Sequence, residues 1–179
     1  MWHNAKAGHN LGALREFWKK TLTPLPQALA LKDKPRPPLK KYRASKAGLL
    51  VPAETAKSLV EISRAQRVSM FMTVQSTLLV LLYCYTKQKD ICIGTPVADR
   101  GSDDLHDMIG CLINTLVIRT EFKDDESFLK LLSRVKTSSL SAFDHQLYPF
   151  ELILKDLAYN RDVSRNPVFD VGYTFDEVE

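Results

Sequence analysis

The stretch MFMTVQSTLLVLLYCY, residues 70 to 85, is the most hydrophobic part of the chain, and the rest of the molecule has to be arranged around it. It is shorter than the roughly 20 apolar residues a membrane span requires, and Thr73, Gln75, Ser76 and Thr77 interrupt it. A segment of this kind is a buried helix, in which each large side chain contributes roughly 1.5 to 3 kcal/mol when taken out of water. Ser69 is placed to accept a backbone N–H at its start, so a core helix is expected from about residue 70 to 86. At 179 residues the chain has the size of a single soluble domain built on that helix.

Its surroundings read as an alternation of helices and strands. Leu11, Leu14, Phe17, Trp18 and Leu22 recur at three- and four-residue steps and form an amphipathic helix that Pro24 and Pro26 end. Residues 32 to 43, KDKPRPPLKKYR, are too rich in proline and charge for a regular element and read as an extended, solvated connection. Leu49 to Val51 suggest a short strand. Pro52 and Glu54 then suit the first turn of a helix that carries Leu59, Ile62 and Ala65 on one stripe. ICIGTPVADR is a buried strand ending at Gly94 and Pro96 that passes into a polar loop through Asp104, and CLINTLVIRTEF, from Cys111 to Phe122, is a long β-branched strand. Helices are expected from Ser127 to about Asp144 and from Pro149 to Leu157, and a last strand from 168 to 175. The order predicts an α/β fold, a two-layer sandwich of helices on a mixed sheet.

Several function classes are set aside by what the sequence contains. The net charge of +4 is dispersed among alternating acids and bases, which does not make a nucleic-acid footprint. The opening MWHNAKAGHN lacks the apolar core of a secretory signal, so a cytoplasmic location is expected. Cys84, Cys92 and Cys111 lie in apolar stretches without CxxC spacing and read as reduced, buried thiols, with neither disulfide nor zinc. His3, His9, His106 and His145 form no metal-type pair, and no GxSxG, P-loop or GxGxxG occurs.

Three places remain where polar residues interrupt apolar pattern. His145, in DHQLYPFE, is a general-base candidate at a helix–helix junction, or else a helix-terminal histidine that satisfies backbone carbonyls. Asn114 and Thr115 sit within an apolar strand, where an unsatisfied amide costs about 1 to 3 kcal/mol, so they either face a cavity or lock a neighbouring strand. Arg161, Asp162, Ser164, Arg165 and Asn166 precede Pro167 and the last strand. They form either a loop braced by arginine–carboxylate and side-chain-to-backbone bonds or a contact for an anion or a carrier.

IGTPVADR (93 to 100), IGCLINTLVIR (109 to 119), HQLYPFE (145 to 151) and RDVSRNPVF (161 to 169), in this order and spacing, resemble the later core motifs of nonribosomal peptide synthetase condensation domains. LKDKPRP resembles the segment that family places after its mid-domain helix, and Trp2 stands where the family's YxDYAxW motif would finish. Leu147 replaces an acidic residue of the third block, and Cys111 and Leu112 stand where aromatic or small residues are frequent.

The resemblance implies a chloramphenicol-acetyltransferase-like lobe, one of two that enclose a tunnel. The family's catalytic HHxxxDG belongs to the first lobe and does not occur in this chain, so no catalytic residue is assigned. Residues 1–179 are expected to be a single partial domain, most of the second lobe, with a leading helix over 1–22, an extended connection over 23–46 and the lobe core over 47–179. Its end is expected to fall inside a larger sheet, leaving an edge that favours a dimer of the isolated chain. By resemblance Asn114 and Thr115 face the tunnel, with His145 and Tyr148 as further acceptor-side candidates, while Arg119, Arg161, Asp162, Ser164, Arg165 and Asn166 belong to structural motifs. The INT block argues against an epimerization domain.

The implied activity is amide formation between carrier-bound thioesters, with this chain inactive alone. The implied partners are the N-terminal condensation lobe, peptidyl and aminoacyl carrier domains and a neighbouring adenylation domain. No cofactor is bound directly, since phosphopantetheine is borne by the carriers. The alternative is a non-catalytic module that binds a carrier or another domain, and a more distant one is an acyltransferase that uses free coenzyme A thioesters.

Overall fold

The computed structural model describes residues 10–31, 37–41, 43–98, 109–110 and 112–176. Trp2, His3, His9, residues 32–36, the loop through Asp104, His106 and Cys111 lie outside the described residues.

The five helices of the described residues are α1 (Leu11–Leu22), α2 (Ala53–Gln66), α3 (Met70–Thr86), α4 (Phe128–Asp144) and α5 (Phe150–Asp156). The strands are β1 (Asp90–Ala98), β2 (Ile113–Glu121) and β3 (Val171–Gly172), in the order β2-β1-β3, with β2 antiparallel and β3 parallel to β1. The mixed sheet and its packed helices are the expected α/β architecture.

Helix α3 begins where Ser69 accepts the Met72 N–H. Two of its polar interruptions are buried contacts with neighbouring helices, while Ser76 and Thr77 bond back to carbonyls of α3 itself. Thr73 meets Ser63 of α2 at 2.7 Å, and Gln75 Oε1 accepts the Ser139 hydroxyl of α4 at 3.1 Å. Met72, Leu79 and Leu82 join Ile91 and Ile93 of β1, Leu131 and Val135 of α4, and Tyr173 in one cluster. The helix is not buried all round, since Leu81 and Tyr85 are exposed. Among the described residues no single helix is long and apolar enough to cross a membrane. The second cluster joins Trp18 and Leu22 of α1 to Cys92, Leu116, Val117 and Ile118 of the sheet and to Tyr148 and Ile153.

Four expectations are corrected. Leu49 to Val51 form no strand. Leu49 and Leu50 are 90% and 92% exposed, and no described strand pairs with them. Strand β1 runs past Pro96 to Ala98, because β3 pairs only with Ile93 and Gly94. Among the described residues β1 has a neighbour on one side alone beyond Gly94, a place where proline is tolerated. The last strand shrinks to Val171–Gly172. Pro167 has no N–H to give, Val168 adopts a left-handed φ of 67°, and Phe169 N–H closes onto the Pro167 carbonyl at 2.8 Å, so a turn replaces the start of the strand. Cys84 is exposed, whereas Cys92 is buried and its thiol is pushed up to about 12 by burial.

The connection after α1 is held more firmly than a free linker. Leu29 is buried and gives its N–H to Asp170, Gln88 brackets Ala28 and Ala30, and Lys40 N–H reaches the Val163 carbonyl. The prolines and charges around these anchors are solvated, as at residues 37 to 41.

Candidate functional site

Asn114 is the most fully engaged polar side chain of β2. It is 4% exposed, and its amide nitrogen donates to the Gln146 carbonyl at 2.7 Å and the Tyr148 carbonyl at 2.9 Å. Its amide oxygen accepts the Phe150 N–H at 3.1 Å and the Thr115 N–H at 2.8 Å. Both donors and both acceptor positions are thereby used. What Asn114 locks is the turn between α4 and α5, not a neighbouring strand. Thr115 is half-buried opposite Pro96, and its N–H is turned to the Asn114 side chain.

That turn carries His145 and Tyr148. His145 is the C-cap of α4, with Nδ1 2.8 Å from the Ser141 carbonyl and its ring stacked on Phe17 at 3.6 Å. A carbonyl can only accept, so Nδ1 is the donor of this contact. The His145 carbonyl accepts the Trp18 indole N–H at 3.1 Å, tying the turn to α1.

Tyr148 is buried and donates to Asp156 Oδ2 at 2.5 Å, while Arg15 pairs with Asp156 Oδ1 at 2.8 Å. Burial, followed by the bond to Asp156, pushes the Tyr148 phenol up to about 12. The Tyr148 and Arg15 bonds hold the Asp156 carboxyl below its ordinary value. At the other end of β2, Arg119 forks onto Asp90 at 2.9 and 2.7 Å and reaches the Thr21 carbonyl at 2.9 Å. One guanidinium thus joins both long strands to the end of α1.

The RDVSRNPVF segment forms a second cluster beside α5. Asp162 accepts the Ser164 N–H at 2.8 Å, and Asn166 accepts from Lys40 Nζ at 2.5 Å. Arg165 pairs at 2.7 Å with Asp170, whose same oxygen holds the Leu29 N–H. The bracing foreseen for this loop is therefore present, with Asp170 as the carboxylate of the arginine fork. Arg161 projects at the surface and lines a cleft of about 580 Å³ between the loop and α5.

Two motifs that lie far apart in the chain meet at Gly94. A β-carbon there would fall 2.2 to 2.5 Å from the Phe169 ring, so only glycine lets the last block lie against the first. Phe169 also faces Phe150 at 6.0 Å, and Phe150 N–H is held by Asn114. Helix α5 is thus the element shared by the two clusters. Asp90, Asp156, Asp170 and Phe169 are the partners that sequence reasoning did not single out.

This α/β lobe, in which a strand asparagine pins the HQLYPFE turn and a glycine strand receives the RDVSRNPVF block, shares a chloramphenicol-acetyltransferase-like fold with the solved structures it resembles. The family model that matches is "Condensation domain", over residues 1–178. Surfactin synthase subunit 1 from Bacillus subtilis (strain 168) is 36% identical over 175 residues, which is 97% of this chain and 5% of that synthase. The X-domain from teicoplanin biosynthesis superposes with a TM-score of 0.86 at 30% identity, covering 94% of this chain and 38% of that one. The X-domain in its complex with OxyB gives 0.85 at 32% identity over 90% of this chain and 36% of that one. The chain belongs to the condensation domain family of nonribosomal peptide synthetases. It spans a small fraction of its curated relatives and little more than a third of the structural ones.

Proposed function

We propose that this chain is the second-lobe scaffold of a condensation domain that forms amide bonds between carrier-borne aminoacyl and peptidyl thioesters. The observation that carries the reading is the mutual bracing of the four family blocks. β1 and β2 pair, Asn114 clamps the third block to the second, and Phe169 of the fourth lies on Gly94 of the first. Asn114, His145 and Asp162 of these blocks are bonded to backbone, which suits a wall that positions a tunnel better than a centre that moves protons. The proton-handling histidine would come from an HHxxxDG-bearing lobe, and phosphopantetheine would arrive on carrier domains. Adenylation and carrier domains of the same synthetase are the proposed partners.

The test is amide formation from defined donor and acceptor carriers loaded with thioesters. The chain alone is expected to give no product above the carrier-only background, and turnover by the purified chain would overturn the proposal. The β3 edge, only two residues long, is the proposed site of pairing between copies of the isolated chain. A mass by light scattering that stays monomeric across a wide concentration range would contradict that pairing.

A second reading is favoured by one observation. A solved structure that this chain resembles is the complex of the X-domain and OxyB, so a protein that contains this fold takes part in a protein–protein complex. Carried over, it makes the chain a non-catalytic binding module. Restored amide formation on adding an HHxxxDG lobe selects the first reading. Stable capture of a neighbouring domain with no such activity selects the second.

A further inference from the structure

The cleft beside α5 is not explained by bracing the last block. Of the charged groups on its wall, Arg165 is neutralised by Asp170, Lys40 is bonded to Asn166, and Asp162 holds its own turn. Arg161 and Lys155 are different. Both are exposed on the rim, and among the described residues neither side chain has an ion pair or a hydrogen bond. The lining also includes Phe150, Leu154, Tyr159 and Val163. Glu151 and Asp162 are the counter-charges to Lys40, Lys155 and Arg161, which leaves the cleft positive.

A cleft of about 580 Å³ that combines apolar side chains with two unpaired cations matches a ligand with an apolar anchor and carboxylates. Partly buried aromatic residues and arginine are the side chains that most often dominate protein interfaces. A bare phosphate fits less well, because it would leave the apolar side chains of the lining uncovered. α5, at seven residues, offers no helix-terminal anion site. From this geometry we infer that the cleft between α5 and the RDVSRNPVF loop docks an acidic peptide segment, with an apolar side chain over Leu154 and Tyr159 and its carboxylates on Lys155 and Arg161. Such a segment would belong to a separate partner protein. The inference does not depend on amide formation.

The probe is an acetylated, amidated octapeptide of Glu, Asp and Leu with a central Phe, titrated into the chain by calorimetry and followed by methyl shifts of Leu154 and Val163. Saturable binding is expected, weakened at least about fivefold between 50 and 500 mM salt because exposed charges are screened. The charge reversal Lys155→Glu with Arg161→Glu changes two exposed side chains and is expected to weaken binding at least about tenfold, with an unchanged circular dichroism spectrum. The Lys155→Ala, Arg161→Ala variant is expected to fall between. Four results would each overturn the inference. They are no binding up to about 1 mM peptide, equal binding of the Gln/Asn version, equal binding to the reversed variant, or a response to inorganic phosphate alone.

Discussion

Replacing Asn114 by alanine removes four hydrogen bonds and leaves two N–H groups and two carbonyls to find other partners. At a net value of about 0.5 to 1.5 kcal/mol per bond, the loss is roughly 2 to 6 kcal/mol. The turn from Gln146 to Phe150 is only partly buried, so water can reach some of the stranded groups, which brings the expected value to about 3 kcal/mol. For a chain of this length each kcal/mol shifts the midpoint by roughly 2 to 4 °C, so Asn114→Ala is expected to melt about 6 to 12 °C lower. Circular dichroism melting of both proteins at one concentration measures it.

Asn114→Asp sharpens the test. A carboxylate keeps the two acceptors but sets negative charge against the Gln146 and Tyr148 carbonyls. This variant should be at least as unstable as the alanine one at neutral pH and recover in part as acid protonates it. A melting shift below about 2 °C for Asn114→Ala would refute the reasoning that the clamp holds the turn.

Three further outcomes are expected. Gly94→Ala forces the Phe169 ring away and should cost about 1 to 3 kcal/mol by urea unfolding. The cost should shrink when Phe169 is also replaced by alanine, and an unchanged cost in that double variant would show that the ring is not the obstacle. Asp156 has a lowered folded pKa, so its contribution is present above the unfolded carboxylate value and is lost as pH falls through the folded one. Tyr148 is raised to about 12, so its contribution is full below the ordinary phenol range and is lost as pH climbs towards that value. Tyr148→Phe should therefore flatten both limbs of the stability–pH curve, and unchanged limbs would contradict the pairing. In a Cys111→Ser background, Cys84 should react with a disulfide reagent at once and Cys92 only on unfolding. Equal rates for the two thiols would be the contrary result.

The elements that sequence makes legible are those whose cause is local. Ser69 and the apolar run after it delimit α3, and the steps from Leu11 to Leu22 place α1, because capping and periodicity act within a few positions. Asn114 could be marked as anomalous, but its role could not be read, since three of its four partners lie 32 to 36 residues away. Arg165 was recognisable as one half of an ion pair, and Asp170 became its partner only because Val168 turns left-handed and folds the chain back. The same turn is why the last strand is short. The glycine in IGTP was visible in the sequence, but its reason, the Phe169 ring, lies 75 positions along the chain. Leu49 and Leu50 illustrate the opposite error, an apolar pair for which the described residues supply no strand partner.

The central claim is that this lobe is a scaffold whose activity resides in its combination with an HHxxxDG-bearing lobe. The most direct measurement is amide product from loaded donor and acceptor carriers, with that lobe added to the purified chain. Product is expected only from the combination, reduced by Asn114→Ala and abolished when the second histidine of HHxxxDG is replaced. Amide formed by the chain without the added lobe, or by the combination lacking that histidine, would contradict the account.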